Sequence, residues 1–118
     1  MVFLKEIFVG LPKTVGKKGA KDPMDREWTS GIFKKPVTGA VWLGETNLAG
    51  DGQADLKHHG GVEKAVFAYP RAHYTYWQKK LHSTEIGPGG MGENFSLEHQ
   101  LEADVAIGDT FQVGEAII

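Results

Sequence analysis

The chain contains no cysteine. Disulfides, thiolate-bound zinc and cysteine-held iron–sulfur clusters are therefore excluded within these residues. No apolar run approaches the roughly 18 residues that a membrane-spanning helix needs. The first residues, Met-Val-Phe-Leu-Lys-Glu, lack the long apolar core of a signal peptide, so none is expected. These absences suit a cytoplasmic protein. Charge of one sign is also scarce, with a net charge of −2 from 13 basic and 15 acidic residues. That balance argues against a nucleic-acid polymer or a membrane surface as partner. Ser30, Ser83 and Ser96 lie in no Gly-x-Ser-x-Gly elbow, so no serine nucleophile is indicated. Val15-Gly-Lys-Lys-Gly lacks the spacing and the Lys-Ser/Thr pair of a P-loop. A dinucleotide-binding glycine fingerprint is not expected either.

What remains fits one small domain. The chain has 118 residues, 41% of them apolar and 24% charged, ordinary values for a globular protein. Its charges are unevenly placed. Residues 13–35 hold seven basic groups against three acids, whereas residues 91–118 hold six acids and no Lys or Arg. This is either a mixed solvated surface or a basic arm facing an anion.

Apolar runs closed by glycine read as strands over Val2–Val9, Lys35–Leu43, Ala65–Tyr69, Phe95–Leu97, Val105–Ile107 and Thr110–Ile118. Gly16–Asp25 reads as a loop and Gly87–Gly92 as a glycine-rich turn. One helix is expected over Pro70–His82, with proline tolerated in its first turn and Lys79, Lys80 and His82 at the cation-favouring end. Many short strands and one helix indicate a mainly β or α+β domain, of barrel type. The last residues, Glu115-Ala-Ile-Ile118, stop inside an apolar run, so an incomplete domain is expected.

The densest cluster of chemistry runs from Asp51 to Pro70. His58 and His59 are adjacent, so on a strand they point to opposite sides and do not share a metal. Zinc held with Asp51 and Asp55 is a minor alternative, since no zinc spacing is matched. A glycine turn with one hydrogen-bonded histidine is another. The third reading lets Gly60 and Gly61 bring the backbone close to a ligand while His59 donates a hydrogen bond. Lys64 is either a solvated edge cation or a point charge for a phosphate or heterocycle oxygen. Arg71 at a helix start opposes the helix dipole, which favours an anion beside it; an ion pair with an acid serves equally. Glu93 and Asn94 either close a turn or read the edge of a heterocycle.

Several stretches in order resemble the MOSC domain, in particular its YiiM-like subgroup. They are Ser30–Lys34, Gly50–Asp55, His59–Ala65, Tyr69–Tyr74 with Trp77, Gly92–Phe95, Gly108–Phe111 and Gly114–Ala116. The likeness spans most of residues 28–118, with residues 1–118 taken as one domain. It implies a β-barrel-like fold that binds molybdenum cofactor, a phosphate-bearing pterin (molybdopterin) whose dithiolene holds the metal. Pyridoxal phosphate binding is a further association of the family. The implied activity is reduction of N-hydroxylated small molecules, such as hydroxylaminopurines and amidoximes, with electrons from a separate reductase. A cofactor or sulfur carrier without reductase activity is the alternative. Carried over, Lys34, His59, Gly60, Gly61, Lys64 and Arg71 would line the cofactor pocket, and Glu93 and Asn94 would lie near the metal. Asp51 would order the loop. No protein metal ligand is assigned among these residues: the family's cysteine ligand is expected beyond Ile118, together with a C-terminal helical region. Homodimerisation is left open.

Overall fold

An apolar run broken by two charges builds the spine of the fold. The computed structural model describes residues 1–118. Strand β1 covers Phe3–Val9, and its register against a later strand shifts between Leu4 and Glu6. Lys5 is the extra residue of a bulge, which is how Lys5-Glu6 fits inside an otherwise apolar strand. Lys5 reaches Glu98 across the sheet at 3.7 Å.

Four strands form the main sheet. Strand β4 is Lys35–Val37, β5 is Ala68–Pro70 and β6 is Phe95–Glu98. Their order is β4-β1-β6-β5, with β1 antiparallel to both neighbours and β5 parallel to β6. Two parallel strands need a crossover, and helix α2, Ala72–Leu81, supplies it. The small core lies where this helix meets the sheet: Phe8, Leu48, Tyr74 and Phe95 are its buried apolar residues.

The expected helix start is corrected by this topology. Pro70 ends β5, paired with Leu97, and the helix begins two residues later. Because β5 is an edge strand, the missing proline N–H leaves no ladder bond unmade. At the other end His82 adopts a left-handed conformation (φ 50°) and its N–H bonds to the Gln78 and Lys79 carbonyls, stopping the helix.

Other expectations shift as well. Gly16–Asp25 is not a bare loop but the link of a ribbon between β2, Lys13–Val15, and β3, Trp28–Ser30. The expected strand Lys35–Leu43 ends at Val37, and Trp42 is exposed. Val105–Ile107 forms no strand, because it follows a 3-10 turn at Glu102–Asp104 and leads into another turn. Thr110–Ile118 folds back on itself as β7, Gln112–Val113, and β8, Ala116–Ile117, around Gly114 at φ 62°. His58 and His59 lie on a single helical turn, α1, Leu56–His59, rather than on a strand.

Eight strands and two α-helices make the mixed α+β class expected, with every sheet open and the barrel unclosed. Four strands in the main sheet are too few to close on themselves. The accessible surface is 8777 Å², against about 6,300 Å² for a compact monomer of this mass. No helix is long and apolar enough to cross a membrane.

Phe8 carries much of the small core, and its ring packs against the Gly89 backbone so closely that a Cβ there would sit 2.9 Å from it. Phe8→Ala is expected to cost about 3–5 kcal/mol in a denaturant titration. A loss under about 1 kcal/mol would show that the core lies elsewhere.

Candidate functional site

A cleft of about 670 Å³ opens beside the main sheet, within the roughly 300–1,000 Å³ typical of small-molecule sites. Four stretches converge on it: residues 29–34, 51–55, 59–67 and 91–94. Two of them meet backbone to backbone. A Cβ on Gly31 would stand 2.7 Å from the Gly52 carbonyl oxygen, so only glycine permits this approach.

The floor is a buried ion pair. Lys34 Nζ lies 2.6 Å from Asp51 Oδ1, with side chains only 7% and 1% exposed. The same oxygen accepts the Gly10 N–H at 3.0 Å. Asp51 thus ties the end of β1 to the segment leading into β4, and orders the loop as the sequence suggests. Gly10 is required for the same junction, since a Cβ there would clash with the Phe33 carbonyl at 2.3 Å.

One wall carries cations. Asp55 caps α1, accepting the Lys57 and His58 N–H groups at 3.1 Å each. Its second oxygen meets His58 Nδ1 at 2.7 Å. The hydrogen bond to the His58 side chain, more than any other contact, holds the Asp55 carboxyl below its ordinary value. That cap therefore contributes fully above pH 3.8 and is lost as pH falls through the lower folded value. His58 is turned to Asp55, which leaves His59 to line the cleft. Lys64 donates to the His58 carbonyl, closing the turn, and also lines the cleft. Two N–H bonds of its ammonium remain for a ligand. Across from them Thr29 and Ser30 bring hydroxyl groups from the end of β3.

The opposite wall is set by a buried polar network. Asn94, 3% exposed, accepts the Phe67 N–H at Oδ1 (2.9 Å) and donates through Nδ2 to the Phe8 carbonyl (3.1 Å). Glu93 is wholly buried. It accepts the Tyr74 hydroxyl at 2.6 Å and the Gly89 N–H at 2.7 Å. Burial, then the bond to Glu93, pushes the Tyr74 phenol far up from its usual value.

Of the residues singled out in the sequence, the structure brings Lys34, His59, Lys64 and Asn94 onto one cleft. Gly60 and Gly61 sit just behind it. A Cβ on Gly60 would meet the Leu56 carbonyl at 2.6 Å, and Gly61 has φ 105°, so both serve the α1 turn. Glu93 is beside the cleft but sealed from it. Arg71 is elsewhere, on a second cleft of about 680 Å³, paired with Glu6 at 2.8 Å and near Glu98 at 3.8 Å. Its misfit with the helix dipole is relieved by those acids. Nowhere do three or more His, Asp or Glu side chains converge as a metal site would require. Thr29, Ser30, Gln53 and Met91 also line the cleft; Ser30 and Gln53 fall within stretches that carry the resemblance, whereas no local pattern marks Thr29 or Met91.

The glycine spacing of a dinucleotide fingerprint does occur, contrary to expectation, at Gly87, Gly89 and Gly92. It leads from helix α2 into strand β6. A dinucleotide site needs the reverse order, strand into helix, so that a helix N-terminus faces the pyrophosphate.

The family model described as MOSC domain matches residues 55–118. Protein YiiM of Escherichia coli (strain K12) is 41% identical over 92 residues, which are 75% of this chain and 41% of that protein. A protein named Reductase from Gibberella moniliformis is 33% identical over 104 residues, covering 86% of this chain and 18% of that protein. The crystal structure of YiiM from Geobacillus stearothermophilus superposes with a TM-score of 0.67 at 30% identity, covering 99% of this chain and 48% of that one. The chain spans less than half the length of the curated relatives it matches.

The floor ion pair makes a direct prediction. Lys34→Met strands a buried carboxylate and is expected to cost about 3–5 kcal/mol. Adding Asp51→Asn should recover part of that loss, because the amide oxygen still accepts from Gly10. Denaturant titration of the single and double variants decides it; equal stability would contradict it.

Proposed function

The chain belongs to the MOSC domain family, and on that premise we propose that its cleft holds the pterin and phosphate of a molybdenum cofactor in an oxidoreductase acting on N-hydroxylated small molecules. The observation that carries this reading is the cleft itself. It combines a small-molecule volume, three glycines (Gly31, Gly52 and Gly92) in its lining, and the side chains of His59 and Lys64. Lys64 and His59 would hold the phosphate, with Thr29 and Ser30 as hydrogen-bond partners. Gly31, Gly52 and Gly92 would let the heterocycle lie against backbone. Gly92 has φ 78°, and a Cβ there would meet the Ile32 side chain at 2.9 Å, so the wall keeps its shape only with glycine.

The donor set fits the organic part of the cofactor and not its metal. The resemblance implies a cysteine thiolate as the metal's protein ligand, and these 118 residues contain no cysteine. When bound, the cofactor would supply two-electron chemistry at the metal, converting R–NHOH, two electrons and two protons into R–NH₂ and water. The chain's own residues would bind and orient. The buried Lys34–Asp51 pair would keep the floor rigid and water-free. Electrons would come from a reductase. The YiiM relatives support the family, and the fungal protein named Reductase supports an oxidoreductase activity. A cytoplasmic setting suits both the substrates and the absence of disulfides.

The test uses the complete protein from a host that makes the cofactor. About one molybdenum per chain, a phosphate-bearing pterin and turnover of a hydroxylamine substrate with a reductase are expected. Molybdenum bound without turnover would make the protein a carrier. No molybdenum would overturn the reading.

A further inference from the structure

The loop from Gly87 to Gly92 brings Met91 and Gly92 to the cleft's second wall. The Phe8 ring of β1 packs against it at Gly89, and the side chains that hydrogen-bond it are those of helix α2 and Glu93. Tyr74, 3% exposed, donates its hydroxyl to both Glu93 oxygens at 2.6 Å. The same hydroxyl oxygen accepts the Met91 N–H at 3.1 Å. Glu93 in turn accepts the Gly89 N–H at 2.7 Å. Two loop amides, two residues apart, are thus gathered by one phenol and one carboxyl. Gln78, one helical turn after Tyr74, donates to the Ile86 carbonyl at 2.8 Å and fixes the loop's entry.

Tyr74 belongs to the second cleft and does not reach the first, whereas Met91 and Gly92 line the first. Glu93 contacts neither opening, being 0% exposed. A buried carboxyl is costly unless its lone pairs are satisfied, and here both satisfying groups, the Gly89 N–H and the Tyr74 hydroxyl, lie on that loop or on the residue that holds it. Within itself the loop makes two turn bonds, from the Gly90 N–H to the Gly87 carbonyl at 2.8 Å and from the Gly92 N–H to the Gly89 carbonyl at 3.0 Å, with glycine at four of its six positions.

We propose that Tyr74 and Glu93 are positioning residues: together they lock the Gly87–Gly92 loop to helix α2 and so set the wall against which the cleft's ligand lies. Neither touches the ligand. The consequence for binding rests on the cofactor reading above; the lock itself does not.

Amide hydrogen exchange and ligand titration on the wild-type chain and its variants test this. Tyr74→Phe keeps the ring and removes the hydroxyl. It is expected to speed exchange at Met91 by about tenfold and to weaken binding of a phosphate-bearing pterin by a similar factor, the loss of about one buried hydrogen bond. Exchange in β1 and β6 should be unchanged, and affinity for inorganic phosphate alone should hold, since Lys64 and His59 are on the other wall. Glu93→Gln keeps an acceptor for Gly89 and a partner for Tyr74, so it should stay near wild type; Glu93→Ala should free the Gly89 amide and leave the Tyr74 hydroxyl without its acceptor. Unchanged Met91 exchange in Tyr74→Phe would overturn the proposal. Faster exchange throughout the sheet would also overturn it, by making the pair a general stabiliser. So would unchanged pterin affinity with a loosened loop. If the wild-type chain takes up no pterin, the cofactor reading fails, and the exchange data alone decide the lock.

Discussion

Asn94 is the joint on which the rest depends. Its backbone N–H donates to the Phe67 carbonyl and its carbonyl accepts the Phe8 N–H, both at 2.8 Å. Its side chain then bonds the remaining Phe67 N–H and Phe8 carbonyl. One residue thus completes the polar groups of two others on either side of β6. Losing the side chain would leave a buried donor and a buried acceptor unpaired, about 1–3 kcal/mol each. The same residue lines the cleft, so sheet and site are fixed by one set of bonds. Glu93 beside it performs the matching task for the glycine loop. The sequence Gly92-Glu93-Asn94-Phe95 therefore orders backbone in both directions.

The cleft follows from that framework by close approach. Gly10 and Gly31 each sit where a Cβ would run into a carbonyl oxygen. Those contacts bring the β3–β4 segment against the 51–55 loop, and the buried Lys34–Asp51 pair holds them there. A cation buried with its partner contributes little to affinity for an outside anion. The groups left with free donors are the His59 imidazole and the Lys64 ammonium, both organised by the Asp55-capped turn. The electrostatics of the site therefore rest on α1 and the 3-10 turn Val62–Lys64 that follows it.

Much of this was legible in the sequence, and the failures have physical causes. Strand β1 could be read because it is largely apolar and closed by Gly10, and β6 because Phe95 and Leu97 alternate with polar residues after a glycine-rich turn. The cluster around His59 and Lys64 could be read because its residue types are rare together. Arg71 could not be placed, because its two acids, Glu6 and Glu98, come from distant strands. Pro70 misled because a proline is equally at home in a first helical turn and on a sheet edge, and only the strand order distinguishes them. The β2–β3 and β7–β8 ribbons were missed, since two- and three-residue strands leave no period to detect. Thr29 and Met91 reach the cleft through tertiary contacts that no local pattern encodes.

The central claim is that His59 and Lys64 make the cleft a phosphate-reading pocket for a pterin. The most direct measurement compares binding of a fluorescent phosphate-bearing pterin with that of the same pterin after the phosphate is removed, in wild type and in Lys64→Ala. The account predicts about tenfold tighter binding of the phosphorylated form in wild type, and loss of most of that preference in the variant. Equal affinity for the two pterins, or a preference that survives Lys64→Ala unchanged, would contradict it.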